Sequence, residues 1–337
     1  MIKHAIETIV AGSDLTGEQA GEVMAEIMDG SASPAQFGSF VTALRLKGET
    51  PEEIAGMARI MRKRSLHVDA GGSLVDTCGT GGDGSGSFNI STTSAFVVAG
   101  AGVKVAKHGN RAMSSGSGSA DVLEALGAKI DLGPDSVRRC LDETGFGFMF
   151  AQRFHPSMEF AAGPRREIGI RTVFNILGPL TNPAGAKSQL IGVADPDLAP
   201  KMAWVLGLLG SKHALVAHGE GGLDEITLTG ETRIWELLGG SVREYTVTPE
   251  QMGLSVITID SIRVDGPDES ADILRTILAG HEGPARDVVL ANAAAALLAA
   301  DRVSTLKEGV ALAARSIDDG EAATVMESFV ALSQSLG

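Results

Sequence analysis

Cysteine is nearly absent: Cys78 and Cys140 are the only two in 337 residues. Two such distant thiols exclude a disulfide framework and any CxxC metal site, and point to a reduced, cytoplasmic setting. Positive charge is in deficit, with 28 Lys and Arg against 42 Asp and Glu, a net charge of −14. So acidic a chain lacks the basic surface by which nonspecific nucleic-acid or anionic-membrane binders work. An anionic ligand would have to be held by local backbone donors, a few cations or bound metal. Long apolar runs are missing as well. The longest, 288–300, covers 13 residues and is broken by Asn292, which is too short to span a bilayer. No secretory leader is expected, because Glu7 interrupts the short apolar stretch at the start. Aromatic residues make up only 4%, whereas glycine reaches 43 residues. That balance points to backbone loops closing around a ligand.

The length suits one large or two unequal domains with a substantial core. Residues 1–65 read as helices. Capping boxes recur at Thr16 with Gln19, Ser33 with Gln36 and Thr50 with Glu53, each an acceptor three residues before Glu or Gln. Pro34 and Pro51 sit at the first helical position, and Gly30 and Gly48 stop the second and third helices. Phe37, Phe40, Val41 and Leu44 form an apolar stripe at helical spacing. It is more apolar surface than one thin helical layer buries, so pairing with a second copy is expected. From residue 73 the pattern changes. Short apolar runs at 74–78, 103–106, 189–193 and 214–217 alternate with helical stretches at 92–99, 120–126, 198–209 and 288–300. Such alternation indicates βαβ units and a parallel sheet. Residues 224–247 look hairpin-like, with Thr227-Leu228-Thr229 before Gly230 and then 242–247. The expected fold is α/β: a helical N-terminal domain, 1–70, and a larger domain, 71–337, with a mainly parallel central sheet, joined at Gly71-Gly72.

The first strand runs straight into Gly79-Thr80-Gly81-Gly82-Asp83-Gly84-Ser85-Gly86-Ser87. Backbone N–H groups there can approach an anion without side-chain obstruction. Asn89-Ile90-Ser91-Thr92 then opens a helix whose N-terminal amides suit phosphate. The spacing Gly79-x-Gly81-x-x-Gly84 formally matches the dinucleotide fingerprint, which also needs an acidic residue at the end of the second strand. The second strand here ends in Lys107, so a nicotinamide cofactor is not expected. No Gly-Lys dipeptide exists, which excludes a Walker A loop. No GxSxG elbow occurs, which argues against an α/β-hydrolase. A second polar loop, Lys107-His108-Gly109-Asn110-Arg111-Ala112-Met113-Ser114-Ser115-Gly116-Ser117-Gly118-Ser119, follows the second strand. Open α/β sheets bind ligands at that carboxyl end. Lys107 is expected to supply a mobile cation, and Ser119 also fits a helix cap.

These loops, with Gly178-Pro179-Leu180-Thr181-Asn182-Pro183, Leu223-Asp224-Glu225 and Gly283-Pro284-Ala285-Arg286-Asp287, resemble the anthranilate phosphoribosyltransferases over nearly the whole chain. The resemblance implies a nucleoside phosphorylase-like fold, a 155–185 segment packing near the hinge, and a homodimer through the helical domain. It implies transfer of the phosphoribosyl group from 5-phosphoribosyl 1-pyrophosphate to the amine of anthranilate, in tryptophan biosynthesis, with two Mg²⁺ ions per monomer. Two departures are Gly116, where many relatives carry a larger or basic residue, and Gly163-Pro164 before Arg165.

Carried over position by position, the donor would be bound by Gly79, Gly82, Asp83, Ser87, Asn89, Ile90, Ser91, Thr92, Lys107, His108, Gly109, Asn110, Arg111, Ala112, Met113, Ser114, Ser115 and Ser119. Anthranilate would meet Gly79, Asn110 and Arg165, whose planar fork suits a carboxylate. Mg²⁺ would be held by Ser91, Asp224 and Glu225. Neighbouring residues of a regular strand face opposite ways, so joint use of that acidic pair requires an irregular loop. The aromatic amine is neutral at pH 7, so no catalytic base is assigned, and His155 stays outside the catalytic set. Two rivals carry weight. A pyrimidine nucleoside phosphorylase favours a Lys-His-Ser-Thr-Gly-Gly loop, and a nucleic-acid-binding relative of the same fold expects a basic groove.

Overall fold

The computed structural model describes residues 1–112 and 117–336. Four helices open the chain: α1 (Ile2–Val10), α2 (Gly17–Met28), α3 (Pro34–Lys47) and α4 (Pro51–Arg64). All three capping boxes form. The hydroxyl oxygens of Thr16, Ser33 and Thr50 accept the amides of Gln19, Gln36 and Glu53, whose side chains reach back to the cap amides. Each such cap contributes about 1 kcal/mol. Glu53 also accepts the Leu15 amide at 2.9 Å, tying α4 to the loop before α2.

One seven-stranded sheet follows: β1 (Val75–Gly79), β2 (Val105–Gly109), β3 (Phe146–Phe150), β4 (Ser188–Gly192), β5 (His213–Gly219), β6 (Thr232–Leu238) and β7 (Ser241–Val247). Its order is β3-β2-β1-β4-β5-β6-β7. The strands β1 to β5 run parallel and the last two antiparallel, so the sheet is mainly parallel as expected. Helix α5 (Ile90–Gly100) links β1 to β2, while α6 (Ser119–Ala125) and α7 (Pro134–Thr144) lead to β3.

Alternation along the strands sorts their side chains between two cores. Val75, Val105, Leu190, Leu215 and Ile234 join α5 and the buried helix Pro284–Ala299. Ile191, Val193, Val216 and Trp235 join the opposite core, which is continuous with α1 to α4 and the helix Ala199–Leu208. Phe37, Phe40, Val41 and Leu44 lie inside this second core, none more than 2% exposed. This corrects the expectation that the stripe needs a second copy to cover it. Part of its cover comes from the 155–185 segment: Ala161, Val173, Phe174, Ile176 and Leu177 share that core, and the Phe174 and Phe37 rings are 5.2 Å apart.

Three local readings change. Phe146–Phe150, unassigned in the sequence, is a strand with every residue buried. The hairpin is Thr232–Leu238 with Ser241–Val247, turning at Gly239-Gly240, whose φ values are both positive. That two-residue turn matches strand twist better than the Gly230 region. Finally, β1 and β2 each run to a glycine, which puts Lys107 and His108 inside β2 rather than in the loop beyond it.

Candidate active site at the sheet crossover

From β1 the chain builds β2 and β3 on one side of the sheet and then β4 and β5 on the other. Ligands of open α/β sheets bind outside the carboxyl ends of the strands at such a reversal. At that end Gly79 pairs with Gly192, and Asp224 rests on both. A Cβ on Gly79 would lie 2.3 Å from Asp224 Oδ2, and one on Gly192 would lie 1.5 Å from the Asp224 carbonyl oxygen. Only glycine admits the acidic segment there. The Gly81 amide donates to Asp224 Oδ2 at 2.7 Å, which joins the first glycine loop to the acidic pair. From the other side, Asn292 accepts the Ile226 amide at 2.8 Å and donates to the Ile226 carbonyl at 2.9 Å. The loop carrying Asp224-Glu225 is thus irregular and fixed.

Three carboxylates crowd this point. Burial, and then the neighbouring Asp83, push Asp224 up to about 7. Burial and Asp224 hold Glu225 well above the usual carboxylate range, against the opposing pull of Lys107. Such a group of acids suits a hard cation, whose charge would relieve the repulsion. Among the described residues, no three His, Cys, Asp or Glu side chains converge as a ready metal cage. An incomplete oxygen shell fits Mg²⁺, which keeps waters and takes one or two carboxylates together with substrate phosphates.

Lys107 is not the mobile cation expected. It is fully buried, and its Nζ donates to the Thr77 carbonyl and to Ser91 Oγ at 3.1 Å. Burial lowers its pKa, while Asp76 and Glu225 sustain its charge. It is a fixed charge beneath the loop. Asn89 caps α5 by accepting the Thr92 amide at 2.9 Å and donates to the Ser117 carbonyl at 3.1 Å, linking the two loops. Asp83 accepts the Ser85 amide at 3.1 Å. The Thr92 hydroxyl, buried at the start of α5, has no partner among the described residues.

The structure places the other residues expected at the donor as follows. The Ile90 side chain is buried, and its amide donates to the Phe88 carbonyl. Arg111 is engaged by Asp121 and Glu124, and its guanidinium lies 5.6 Å from the Phe150 ring centre. Ala112 and Gly118 both donate to Asp121 Oδ2, at 2.9 and 3.1 Å, so Asp121 clasps the second loop. The cap of α6 is Gly118, not Ser119. Ser119 instead packs beside Gly109, where a Cβ would lie 3.0 Å from its own. Met113, Ser114, Ser115 and Gly116 lie outside the described residues. Ser87 bridges to Arg263. Near Asn110, whose Oδ1 accepts from Gln152 at 3.5 Å, the structure places two buried histidines. The His108 and His155 rings are 5.0 Å apart. Burial pushes them down to about 3 and about 4, so both are neutral at pH 7. Arg165, half-buried over the Phe174 ring at 5.5 Å, makes no ion pair among the described residues. Two open surface grooves among the described residues, one beside Leu126 and Met326 and one beside Tyr245 and Lys307, contain none of these residues.

Comparison with known proteins agrees with this geometry. Residues 71–323 match the a/b domain of a glycosyl transferase family, and residues 3–65 match that family's helical bundle domain. The chain is 57% identical over 332 residues to the anthranilate phosphoribosyltransferase of Moorella thermoacetica, covering 98% of each. It is 56% identical over 335 residues to that of Chloroflexus aurantiacus, covering 99% of each. The crystal structure of the Thermus thermophilus enzyme superposes with a TM-score of 0.93 at 45% identity, covering 98% of this chain and 99% of that one. The Saccharomyces cerevisiae enzyme in complex with PRPP and Mg gives 0.92 at 29% identity, covering 99% of this chain and 98% of that one. This chain belongs to the anthranilate phosphoribosyltransferase family.

Sequence reasoning misses several residues that build the frame of this candidate site. Asp76, fully buried in β1, accepts from Asn182 at 2.8 Å and from the His108 amide at 3.2 Å. Asn182 also donates to the Ala106 carbonyl at 2.8 Å, so the Gly178–Asn182 stretch is stitched to β1 and β2. Asn292 enters the sequence reading only as a break in an apolar run. A polar side chain within an apolar helix is the available signal, because a buried amide has to find partners. Gly192 carries no such signal, since its importance lies in what the fold brings against it.

Proposed function

We propose that this chain transfers the phosphoribosyl group of 5-phosphoribosyl 1-pyrophosphate to the amine of anthranilate and releases pyrophosphate, as a step in tryptophan biosynthesis. The observation that carries this reading is the glycine loop 79–87 joined to Asp224-Glu225 at the β1/β4 crossover. Relatives support the substrates: one yeast structure is a complex with PRPP and Mg, and another is a complex with 4-fluoroanthranilate.

The donor's phosphates would lie along the loop amides and the start of α5, with Asp83 accepting from a sugar hydroxyl. Ser91, Asp224 and Glu225 would hold two Mg²⁺ ions per monomer. When bound, Mg²⁺ supplies charge that stabilises the departing pyrophosphate. As the C1–O bond breaks, positive charge develops on the ribose, so the transition state resembles an oxocarbenium ion. Lys107, already fixed below the loop, offers a preorganised charge to the leaving anion. Arg165 takes the anthranilate carboxylate, and Gly79 and Asn110 hold the amine in line with C1. The neutral His108 and His155 leave the carboxylate to Arg165, and no strong base is needed for a neutral aromatic amine. The chain works as a cytoplasmic homodimer. Free Cys78 and Cys140 suit the compartment, and exposed Val10 and Leu46 on α1 and α3 suit a contact through the helical domain.

The test is a turnover assay. With donor, Mg²⁺ and anthranilate, anthranilate fluorescence should fall while pyrophosphate accumulates one for one. Phosphate-dependent cleavage of pyrimidine nucleosides, with stable anthranilate fluorescence, would favour the phosphorylase reading instead.

A further inference from the structure

Arg171 lies two residues beyond Gly169, the left-handed residue that ends the helix Glu159–Ile168. Its own backbone is anchored by the buried Thr172, Val173 and Phe174, and the Thr172 amide donates to Asn175 Oδ1 at 2.9 Å. The side chain nevertheless points away from that core and onto the first glycine loop. Its Nη2 donates to the Thr80 carbonyl at 3.3 Å. Its Nη1 sits 1.8 Å from where a Cβ on Gly82 would be, so the guanidinium occupies the space that glycine leaves open. Asp83 is the next residue, yet Arg171 makes no ion pair with it or with any other carboxylate among the described residues. The guanidinium is laid along the Thr80–Gly82 turn of a loop whose backbone is open to anions.

We infer that Arg171 is a donor-binding residue: its fork holds the Thr80–Gly82 turn through the Thr80 carbonyl and presents its charge to the diphosphate of the sugar donor. The inference rests on the donor site proposed above. It gives that site a second cation, complementary to Lys107. Lys107 is buried below the loop and fixed, whereas Arg171 approaches from the solvent side on the segment that also carries Arg165. A planar guanidinium can set two N–H groups against a phosphate oxygen pair while another donates to a carbonyl, a fixed fork that a point-like ammonium lacks.

The experiment is calorimetric titration of 5-phosphoribosyl 1-pyrophosphate with Mg²⁺ into the wild type, Arg171→Ala and Arg171→Lys, with the thermal midpoint and the anthranilate KM measured for each. Losing a hydrogen bond to a charged group weakens binding about tenfold to a hundredfold. We expect that loss in donor affinity for Arg171→Ala, an unchanged thermal midpoint, and an anthranilate KM within about twofold of wild type. Arg171→Lys should recover part of the affinity, because charge returns without the fork. Wild-type donor affinity in Arg171→Ala overturns the inference. So does a lysine variant as weak as the alanine one, which would reduce Arg171 to a strap on Thr80. A wild type that fails to bind the donor refutes the proposed function itself and removes the ligand on which Arg171 is argued to act.

Discussion

Arg165 shows how burial turns an ordinary charge into a candidate for recognition. In the sequence it is one of an adjacent arginine pair with Glu167 nearby, a pattern that usually marks a solvated helix face. In the structure it is half-buried against Phe174, burial lowers its pKa, and no carboxylate of the described chain pairs with it. A cation in that position is available for an incoming anthranilate carboxylate. Arg165→Ala should raise the anthranilate KM roughly tenfold to a hundredfold, as expected for losing a charged hydrogen-bond partner, and leave the donor KM within about twofold. Steady-state kinetics with each substrate varied in turn checks this, and equal effects on both would assign Arg165 to helix packing. Lys107 teaches the converse. Its position in a polar motif was legible, but its immobility was not, because the sequence does not show that β2 extends to Gly109 and carries the lysine into the sheet.

Elements were legible where local chemistry determines them and obscure where tertiary contact does. The capping boxes of α2, α3 and α4 placed those helices closely, since a cap is a short-range signal. By contrast, Phe146–Phe150 is a strand because α7 and β2 cover it; a Cβ on its Gly147 would lie 2.6 Å from Leu141 Cγ. The amino-terminal end of β5 carries a polar tie of similar long-range origin. Buried His213 is hydrogen-bonded to Glu236 of β6 at 2.9 Å and to Asp301, beyond the helix Pro284–Ala299, at 2.7 Å. Burial disfavours its charge, but the two carboxylates outweigh that and hold its pKa above the ordinary histidine value. A proton held more tightly in the native state stabilises the fold below the unfolded histidine's titration, and that contribution fades as pH rises through the raised native value. His213→Gln should therefore lower the unfolding free energy by about 2 kcal/mol near pH 6, with the gap narrowing by pH 9. Denaturant titrations at both pH values measure it, and a gap independent of pH would show that His213 contributes only neutral hydrogen bonds.

At the scale of the whole molecule, the helical domain and the sheet share one continuous core, so the site at the crossover is built on a common frame. The apolar stripe that first suggested pairing is consumed inside the chain, and the proposed dimer would instead use exposed apolar residues of the helical domain such as Val10 and Leu46. Light scattering at micromolar concentration should return about twice the 34.7 kDa of one chain; a monomer mass would remove the dimer from the account. In the proposed function the donor is held at the β1/β4 crossover through metal on Asp224 and Glu225. Asparagine at 224 keeps an acceptor for the Gly81 amide, so the variant Asp224→Asn with Glu225→Gln removes charge while retaining the loop's hydrogen bond. Calorimetric titration of 5-phosphoribosyl 1-pyrophosphate, with and without Mg²⁺, distinguishes a metal site from a structural acidic pair. The wild type should bind the donor much more tightly with Mg²⁺, and the folded double variant should show no such gain. A double variant that retains the wild-type magnesium dependence would rule out metal on this pair and leave Asp224 and Glu225 as structural acids.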